Sequence, residues 1–319
     1  MMNNVDKTDT KHTHNTKDNT MSNFATLKKS SMSLDRLAKE IEKMNAPATS
    51  EKNGEDNRFW KLERDKSGNG SAVIRFLPSA AVDGEDSLPW VRVFDHGFKG
   101  PTGKWYIEKS LTTLNQKDPV SEYNSKLWNE STDDNSPQRK QARAQKRRLQ
   151  YISNILVVSD PKNPENEGKV FLFKYGKKIF DKITLLTNPQ FEGDDPVNPF
   201  DFWRGANFKI RIRTVDGYPN YDQSVFAEPS AVSDNDSELE KIWKSQHSLK
   251  EFVAPSSFKS YEELKKRLDE VLGLDAAPET PRREPVASRP TPAAKPDVSV
   301  SLTADDDDDD LEAFKALAQ

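Results

Sequence analysis

Positive charge is concentrated in two segments of the sequence. From Pro137 to Ser159 there are several basic residues and no acidic residue. The basic residues are Arg139, Lys140, Arg143, Lys146, Arg147 and Arg148. In NFKIRIRTV, apolar residues alternate with Lys209, Arg211 and Arg213, so a strand here has one cationic face because strand side chains alternate sides. In a chain of formal net charge -4, this segregation predicts a groove that binds a polyanion.

Aromatic rings lie close to these cations in the sequence. In GKVFLFKYGKKIFDK, Phe171, Phe173 and Tyr175 share one face of a predicted strand, which is either core or a platform for stacking. The candidates for exposed rings are Trp105, Tyr106, Trp128, Tyr151, Phe173, Tyr175, Tyr218 and Tyr221, although each ring taken singly is more often part of a core. Stacking a base on a ring contributes about 1–3 kcal/mol for any base, and duplexes hide base faces. The pattern favours single-stranded nucleic acid; the alternatives are rings that form the core and a basic run that is a solvated loop.

Other chemistries find no support in the residue types. The chain has no cysteine, which excludes disulfides, thiol catalysis and cysteine-based zinc sites. Its histidines are not spaced with carboxylates as a metal pair or a catalytic triad. They are His12, His14, His96 and His247. The phosphate-binding motifs GxxxxGKS/T and GxGxxG do not occur in the sequence. We therefore expect no enzymatic activity and no cofactor.

The composition predicts a folded core between tails. Only 34% of the residues are hydrophobic and the mean hydropathy is -0.88, so one core cannot occupy the whole chain. No run reaches the roughly 18 apolar residues of a membrane span, and no secretory signal is recognisable, so we expect a cytoplasmic protein. The predicted regions are a disordered basic arm (1–31), a helix and linker (32–57), the core (58–275), a Pro/Ala-rich linker (276–304) and an acidic tail (305–319).

Short strands separated by turn residues make up the predicted core. The residues GNG predict the turn of a hairpin in RFWKLERDKSGNGSAVIRFLPS. Further strands are predicted at PWVRVFDHGF, KWYIEKS, QYISNILVV, KVFLFKY and NFKIRIRTV. Helices are predicted around LEKIW and in KSYEELKKRLDEVLGL, where Ser260 and Glu263 have capping-box spacing. Because the helices follow the sheet, we expect a mainly β protein with flanking helices (α+β), a barrel or a sandwich.

The end of the chain carries a block of negative charge. The aspartates are Asp305, Asp306, Asp307, Asp308, Asp309 and Asp310. Such a block cannot pack, so it either stays solvated or meets a basic surface. Leu311, Phe314 and Leu317 follow at helical spacing and offer an apolar stripe to a partner. We expect the tail to lie on the basic groove until a polyanion displaces it; the alternative is a solubilising tail.

Several stretches occur in an order that is specific to one family. They are GNGSAVIRFLPS, DHGF, GKWYIE, NILVVSDPKNPENEGKVF, YGKKIFDKI, GANF and KSYEEL. Between Met32 and Gly273 the chain resembles the single-stranded DNA-binding proteins of T-even bacteriophages, also called helix-destabilising proteins. The resemblance implies an OB-fold core with a small associated subdomain, a basic N-terminal arm for cooperative self-association, and an acidic tail that recruits replication proteins.

The resemblance also implies roles for individual positions. Family DNA contacts fall on Arg75, Lys104, Trp105, Trp128, Arg147, Tyr151, Phe173, Tyr218 and Tyr221. From the residues themselves we add Arg139, Lys140, Arg143, Lys146, Arg148, Tyr175, Lys177 and Arg211. The residues that resemble the family's self-association motif are Lys28, Lys29, Ser30 and Ser31. This motif has one basic residue fewer than in the family, so we expect weaker cooperativity.

The resemblance fails at the family's zinc site, which uses one histidine and three cysteines. His96 stands at the histidine position, whereas Ser110, Asp118 and Ser121 stand at the cysteine positions. Serine hydroxyls are poor zinc ligands, and one His with one Asp cannot complete a tetrahedral site, so we predict no zinc. Region 104–129 must then be held by packing of Trp105, Ile107, Leu114, Tyr123, Leu127 and Trp128.

These features predict a cooperative, sequence-independent protein that coats single-stranded DNA during phage replication, recombination and repair in the infected bacterial cell. The expected partners are single-stranded DNA, further copies of the chain bound head to tail, and phage replication and recombination proteins bound by the acidic tail. Two other functions stay open. One is a single-stranded RNA-binding translational repressor, since stacking and phosphate contacts do not by themselves distinguish RNA from DNA. The other is an acidic-tailed protein-interaction or chaperone module.

Overall fold

Eight strands of this chain form one antiparallel sheet. The computed structural model describes residues 56–84 and 86–274. The strands are β1 (Gly70–Phe76), β2 (Trp90–Lys99), β3 (Trp105–Lys109), β4 (Arg148–Ser159), β5 (Val170–Tyr175), β6 (Ala206–Val215), β7 (Tyr218–Asn220) and β8 (Val225–Pro229). Their order is β3-β2-β4-β1-β6-β7, while β5 pairs with β4 and β8 pairs with β6. The predicted arm, N-terminal helix, Pro/Ala linker and acidic tail lie outside the described residues.

Five helices within the described ranges accompany the sheet. They are α1 (Pro119–Asn129), α2 (Pro137–Ala144), α3 (Lys177–Thr187), α4 (Asp236–Lys244) and α5 (Tyr261–Leu272). The capping box of Ser260 and Glu263 at the start of α5 is confirmed, and α5 ends at Gly273 with φ of 72°. The observed class is therefore α+β with a mainly antiparallel sheet. Across this part of the chain, no helix is long and apolar enough to cross a membrane.

The predicted hairpin around GNG is wrong, although its turn is present. The amide of Asp65 donates to the carbonyl oxygen of Asn69 at 2.7 Å. However, β1 is paired along one edge with β4 and along the other with β6. Because both edges of β1 are occupied, the preceding segment pairs elsewhere: Trp60 N donates to Leu172 O and Leu172 N donates to Arg58 O, each at 2.8 Å.

The aromatic face of β5 is core. Tyr175 lies opposite Tyr151 in the β4–β5 ladder, and Tyr151 stacks on Phe180 of α3 with ring centroids 3.9 Å apart. Trp60 covers Phe173 from the N-terminal side at 5.4 Å. Five of the candidates for exposed rings are therefore core residues, as the alternative interpretation had it: Tyr106, Trp128, Tyr151, Phe173 and Tyr175 are all buried. The alternation was predicted correctly, but α3 and the segment before β1 cover that face.

The region of β3 and α1 packs against the C-terminal helix. Tyr106 and Phe98 stack at 5.1 Å and join a buried cluster with Leu264 and Leu268 of α5. Strand alternation then turns Trp105 (41% exposed) and Ile107 (55% exposed) outward. The prediction that these two side chains pack this region is therefore wrong. The predicted packing holds for Leu127 and Trp128, which are buried against Ala142 of α2 with Tyr123 beside them.

β6 has the predicted two faces. The apolar side chains Phe208, Ile210 and Ile212 are buried. The cationic side chains Lys209, Arg211 and Arg213 are exposed. This alternation fixes a row of positive charge on the outer surface of the sheet.

One arginine lies inside the fold. The Arg75 side chain in β1 is fully buried. Its Nη2 donates to the carbonyl oxygens of Asp201 and Ser230, both at 2.8 Å, and its Nη1 donates to Asn207 Oδ1 at 3.3 Å. Burial lowers the pKa of Arg75 to about 10. The predicted DNA-contact residue therefore ties β1 to the segments before β6 and after β8.

Replacing Arg75 tests this structural role. We expect Arg75→Gln to lower the free energy of unfolding by about 2–4 kcal/mol, because buried carbonyl oxygens lose a charged donor. Urea denaturation measures the change. The matched control is Arg211→Gln on the outer face of β6, which should stay within about 0.5 kcal/mol of wild type. Equal effects of the two variants would contradict the structural role.

Candidate nucleic-acid interface

The basic segment predicted at 137–148 folds as a helix that leads into β4. Ser136 caps α2, with its Oγ accepting from Arg139 N at 3.3 Å, and Pro137 takes the first helical position. The guanidinium groups of Arg139 and Arg143 lie over the Trp128 ring, 4.3 and 5.4 Å from its centroid. Lys140 is exposed on the same helix. The two arginines and Trp128 thus lie together, as predicted, although the Trp128 ring itself is buried.

A second pairing of cations and a ring lies where β2 and β4 meet. Arg147 and Arg92 approach the Phe94 ring, with Cζ 4.1 and 5.1 Å from its centroid. Arg148 donates from Nε to Asp95 Oδ1 at 2.7 Å. Gly97 leaves room for this guanidinium, since a Cβ there would lie 2.6 Å from Arg148 Cζ. Such pairs hold guanidinium planes in fixed orientations.

Arg92 is not among the candidate DNA contacts named in the sequence analysis. The signal was its position two residues before Phe94 in PWVRVFDHGF, which places both side chains on one face of β2. In the β2–β4 ladder, Arg92 is the residue directly opposite Tyr151.

The turn between β6 and β7 presents a third group. Asp216 and Gly217 have φ of 53° and 86°, as a tight hairpin turn requires. Tyr218 begins β7 and is 53% exposed, whereas Tyr221 is half-buried against the core. Arg211 stays on the outer face of β6 beside this hairpin. These three predicted residues therefore lie in one part of the fold.

Two other predicted cations, Lys104 and Lys177, lie apart from these groups and are ion-paired. Lys104 pairs with Glu270 of α5, next to the exposed Trp105. Lys177 pairs with Asp181 on α3 at 3.1 Å. Lys146 is half-buried at the end of α2. The predicted self-association and tail residues lie outside the described residues.

Two buried residues occupy the centre of the family's zinc position. His96 Nδ1 lies 2.9 Å from the carbonyl oxygen of Gln145, and Nε2 lies 3.3 Å from Asp118 Oδ1. Both neighbouring atoms are oxygen acceptors. Burial alone would raise the pKa of Asp118, but His96 and backbone N–H donors lower it to about 2. The pair joins β2, α1 and the connection between α2 and β4.

The other atoms at this position are also used internally. Asp118 Oδ1 accepts from the amides of Val120 and Ser121, and Oδ2 accepts from Leu111 N, all at 3.0 Å. Ser110 Oγ accepts from Thr112 N at 3.4 Å. One imidazole and one carboxylate fall short of the four ligands of a structural zinc site. Throughout 56–84 and 86–274, no three His, Cys, Asp or Glu side chains are arranged to hold a metal. These residues do not fit zinc.

Comparisons with known proteins match the part of the chain that contains the sheet and the five helices. A family model described as gp32 DNA binding protein like matches residues 68–272. The single-stranded DNA-binding protein of Enterobacteria phage T2 is 41% identical over 227 residues, covering 70% of this chain and 72% of that protein. That of phage T4 is 42% identical over 224 residues, covering 69% and 71%. The single-stranded DNA-binding protein of Escherichia phage SV14 is 47% identical over 74 residues, covering 23% and 62%.

These matches place the chain in the class of single-stranded DNA-binding proteins. The chain belongs to the gp32 DNA binding protein like family.

Removing the Asp118 charge tests the buried pair. We expect Asp118→Asn to lower the free energy of unfolding by about 2–4 kcal/mol at neutral pH, because the contact with His96 loses its negative charge and the amide nitrogen that replaces one carboxylate oxygen cannot accept from a buried backbone N–H. The folded carboxylate has a lowered pKa, so its contribution is complete above about pH 4 and is lost as the pH falls towards 2. The difference from wild type should therefore narrow over that range in acid denaturation.

The exposed Asp194 provides the control for this measurement. Asp194→Asn should change the free energy of unfolding by less than about 0.5 kcal/mol. A chelator should leave the thermal midpoint of the wild-type protein unchanged. Stoichiometric zinc in the purified protein, or a midpoint that drops with chelator, would contradict the metal-free pair.

Proposed function

We propose that this protein binds single-stranded DNA stoichiometrically and without sequence preference, as a coat rather than an enzyme. The observation that carries the proposal is the basic segment from α2 into β4, whose guanidinium groups lie over the rings of Trp128 and Phe94. The relatives named single-stranded DNA-binding protein support the same function. We assign the antiparallel sheet to an OB-fold, with the β3–α1 region as its associated subdomain.

The proposed binding energy has an electrostatic and a stacking part. Each phosphate that meets Lys or Arg releases condensed counterions, which gives sequence-independent affinity. Arginines held over rings lose little conformational freedom on binding. The exposed rings of Trp105 and Tyr218 offer faces to bases. The buried rings of Tyr151, Phe173 and Tyr175 pack in the core and support the β-strands that carry this surface.

We extend the proposal to the ends of the chain from the charge pattern of the sequence. Lys28 and Lys29 with Ser30 and Ser31 contact a neighbouring copy on DNA, which makes binding cooperative. The six aspartates from Asp305 to Asp310 compete with DNA for the basic surface and, once displaced, bind phage replication and recombination proteins. The single strands that it coats are those exposed in the cytoplasm of an infected bacterium.

Binding to labelled oligo(dT) tests the function. We expect tight binding to oligo(dT) and much weaker binding to a duplex of equal length, because a duplex hides its base faces. If about five phosphates are neutralised, the slope of log affinity against log salt is near −3.5, so a fourfold rise in salt weakens binding about a hundredfold. Fluorescence anisotropy at two salt concentrations measures both quantities.

The same titration separates the rival functions. An oligo(rU) of equal length that binds more tightly than oligo(dT) would favour the RNA-binding alternative. Equal binding to duplex, or affinity that does not respond to salt, would contradict the proposed function.

A further inference from the structure

The carboxylate of Asp134 lies between the two arginines that stack on Trp128. Asp134 Oδ1 is 2.7 Å from Arg139 Nη1 and 3.1 Å from Arg143 Nη2. Two guanidinium groups that converge on one anionic oxygen form the arrangement with which arginines bind phosphate. Asp134 is therefore placed where an oxygen of a phosphate group would fit.

Contacts other than Asp134 Oδ1 hold both guanidinium groups in place. Arg139 Nε donates to the carbonyl oxygen of Ser131 at 2.7 Å, and Arg143 Nη1 donates to the carbonyl oxygen of Asp134 at 2.6 Å. Beneath them, the buried ring of Trp128 packs against Leu127 and the helix α2. The cationic site thus keeps its shape when the Asp134 side chain moves away.

The Asp134 side chain is far more exposed than that of Arg139. It is 69% exposed, whereas the Arg139 side chain is 16% exposed. Because the carboxylate is largely solvated, its two ion pairs are screened by water and salt, and a phosphate that replaces it restores both of them. A backbone phosphate carries the same charge and brings further phosphates along the basic segment that continues to Arg148. Replacing the carboxylate by a phosphate is therefore favourable when a DNA strand runs along this basic segment.

We propose that Arg139, Arg143 and Trp128 form a subsite for one backbone phosphate of single-stranded DNA, with Asp134 as a built-in competitor that the phosphate displaces. This inference rests on the proposed function and adds to it a defined ligand group and a residue that weakens binding. The carboxylate tunes affinity and keeps the two cations from binding other anions in the absence of DNA.

Isosteric removal of the Asp134 charge tests the subsite. We expect Asp134→Asn to raise the affinity for oligo(dT) about three- to fivefold at low salt, because the carboxylate no longer competes with a phosphate for Arg139 and Arg143. The gain should shrink as salt is added. The matched control is Asp133→Asn, which changes the net charge equally; Asp133 Oδ1 accepts only the backbone amide of Asn135 at 2.9 Å among the hydrogen bonds of this turn, and an amide oxygen can replace it. This control should change affinity less than about twofold.

Two further variants show whether Asp134 competes with a DNA phosphate or only stabilises the turn that contains it. Asp134→Ala also removes the carboxylate and should give the same gain as Asp134→Asn. In an Arg143→Gln background, which lowers affinity by itself, the gain from Asp134→Asn should shrink, because only Arg139 is left for the carboxylate and the phosphate to compete for. Equal effects of Asp133→Asn and Asp134→Asn, or a loss of affinity in both Asp134 variants, would overturn the subsite. If wild type binds oligo(dT) with salt dependence, the proposed function stands in either case; if wild type does not bind, both fail.

Discussion

The packing of aromatic rings around Phe76 is the constraint on which the rest of this structure depends. Phe76 is fully buried at the end of β1, between β4 and β6. The rings that surround it are Phe173, Tyr175, Phe200, Phe208 and Phe226. A layer of this kind excludes unpaired charge, because burying an ion without a partner is far more costly than leaving it in water. The exposed cations of β6 and of the α2–β4 segment therefore collect on the surfaces that this layer leaves to solvent.

A smaller set of polar contacts fixes the position of the basic segment relative to the sheet. The carbonyl oxygen of Gln145, just before Lys146, lies against His96 and accepts from Asn124 Nδ2 at 3.1 Å. The Asp118 carboxylate holds His96 from its other side and caps α1. Buried pairs of this type specify one arrangement more than they add stability. They fix the start of β4, and with it Arg147 and Arg148, in a subdomain whose residues do not fit a metal.

Alternation and capping signals made much of this fold predictable, whereas long-range partners did not. The strands β2 to β6 and the capping box of α5 follow from local patterns. Alternation groups Phe171, Phe173 and Tyr175 on one face, but only tertiary contacts decide that α3 covers this face. For the same reason the GNG turn did not reveal that β4 and β6 occupy both edges of β1. Asp118 and Ser136, each followed by proline, are local cap signals for α1 and α2, which the strand pattern of the sequence does not include. The role of Asp134 depends on a turn that no periodic pattern encodes.

Hydrogen exchange with and without oligo(dT) tests the central claim that a buried aromatic layer supports an outer cationic binding surface. The account predicts that DNA slows exchange in residues 137–148 and around the 216–222 hairpin. It also predicts no change in β5, whose rings remain in the core. New protection or faster exchange across 170–175, with residues 137–148 unaffected, would show that the aromatic face opens to bind bases and would contradict this account.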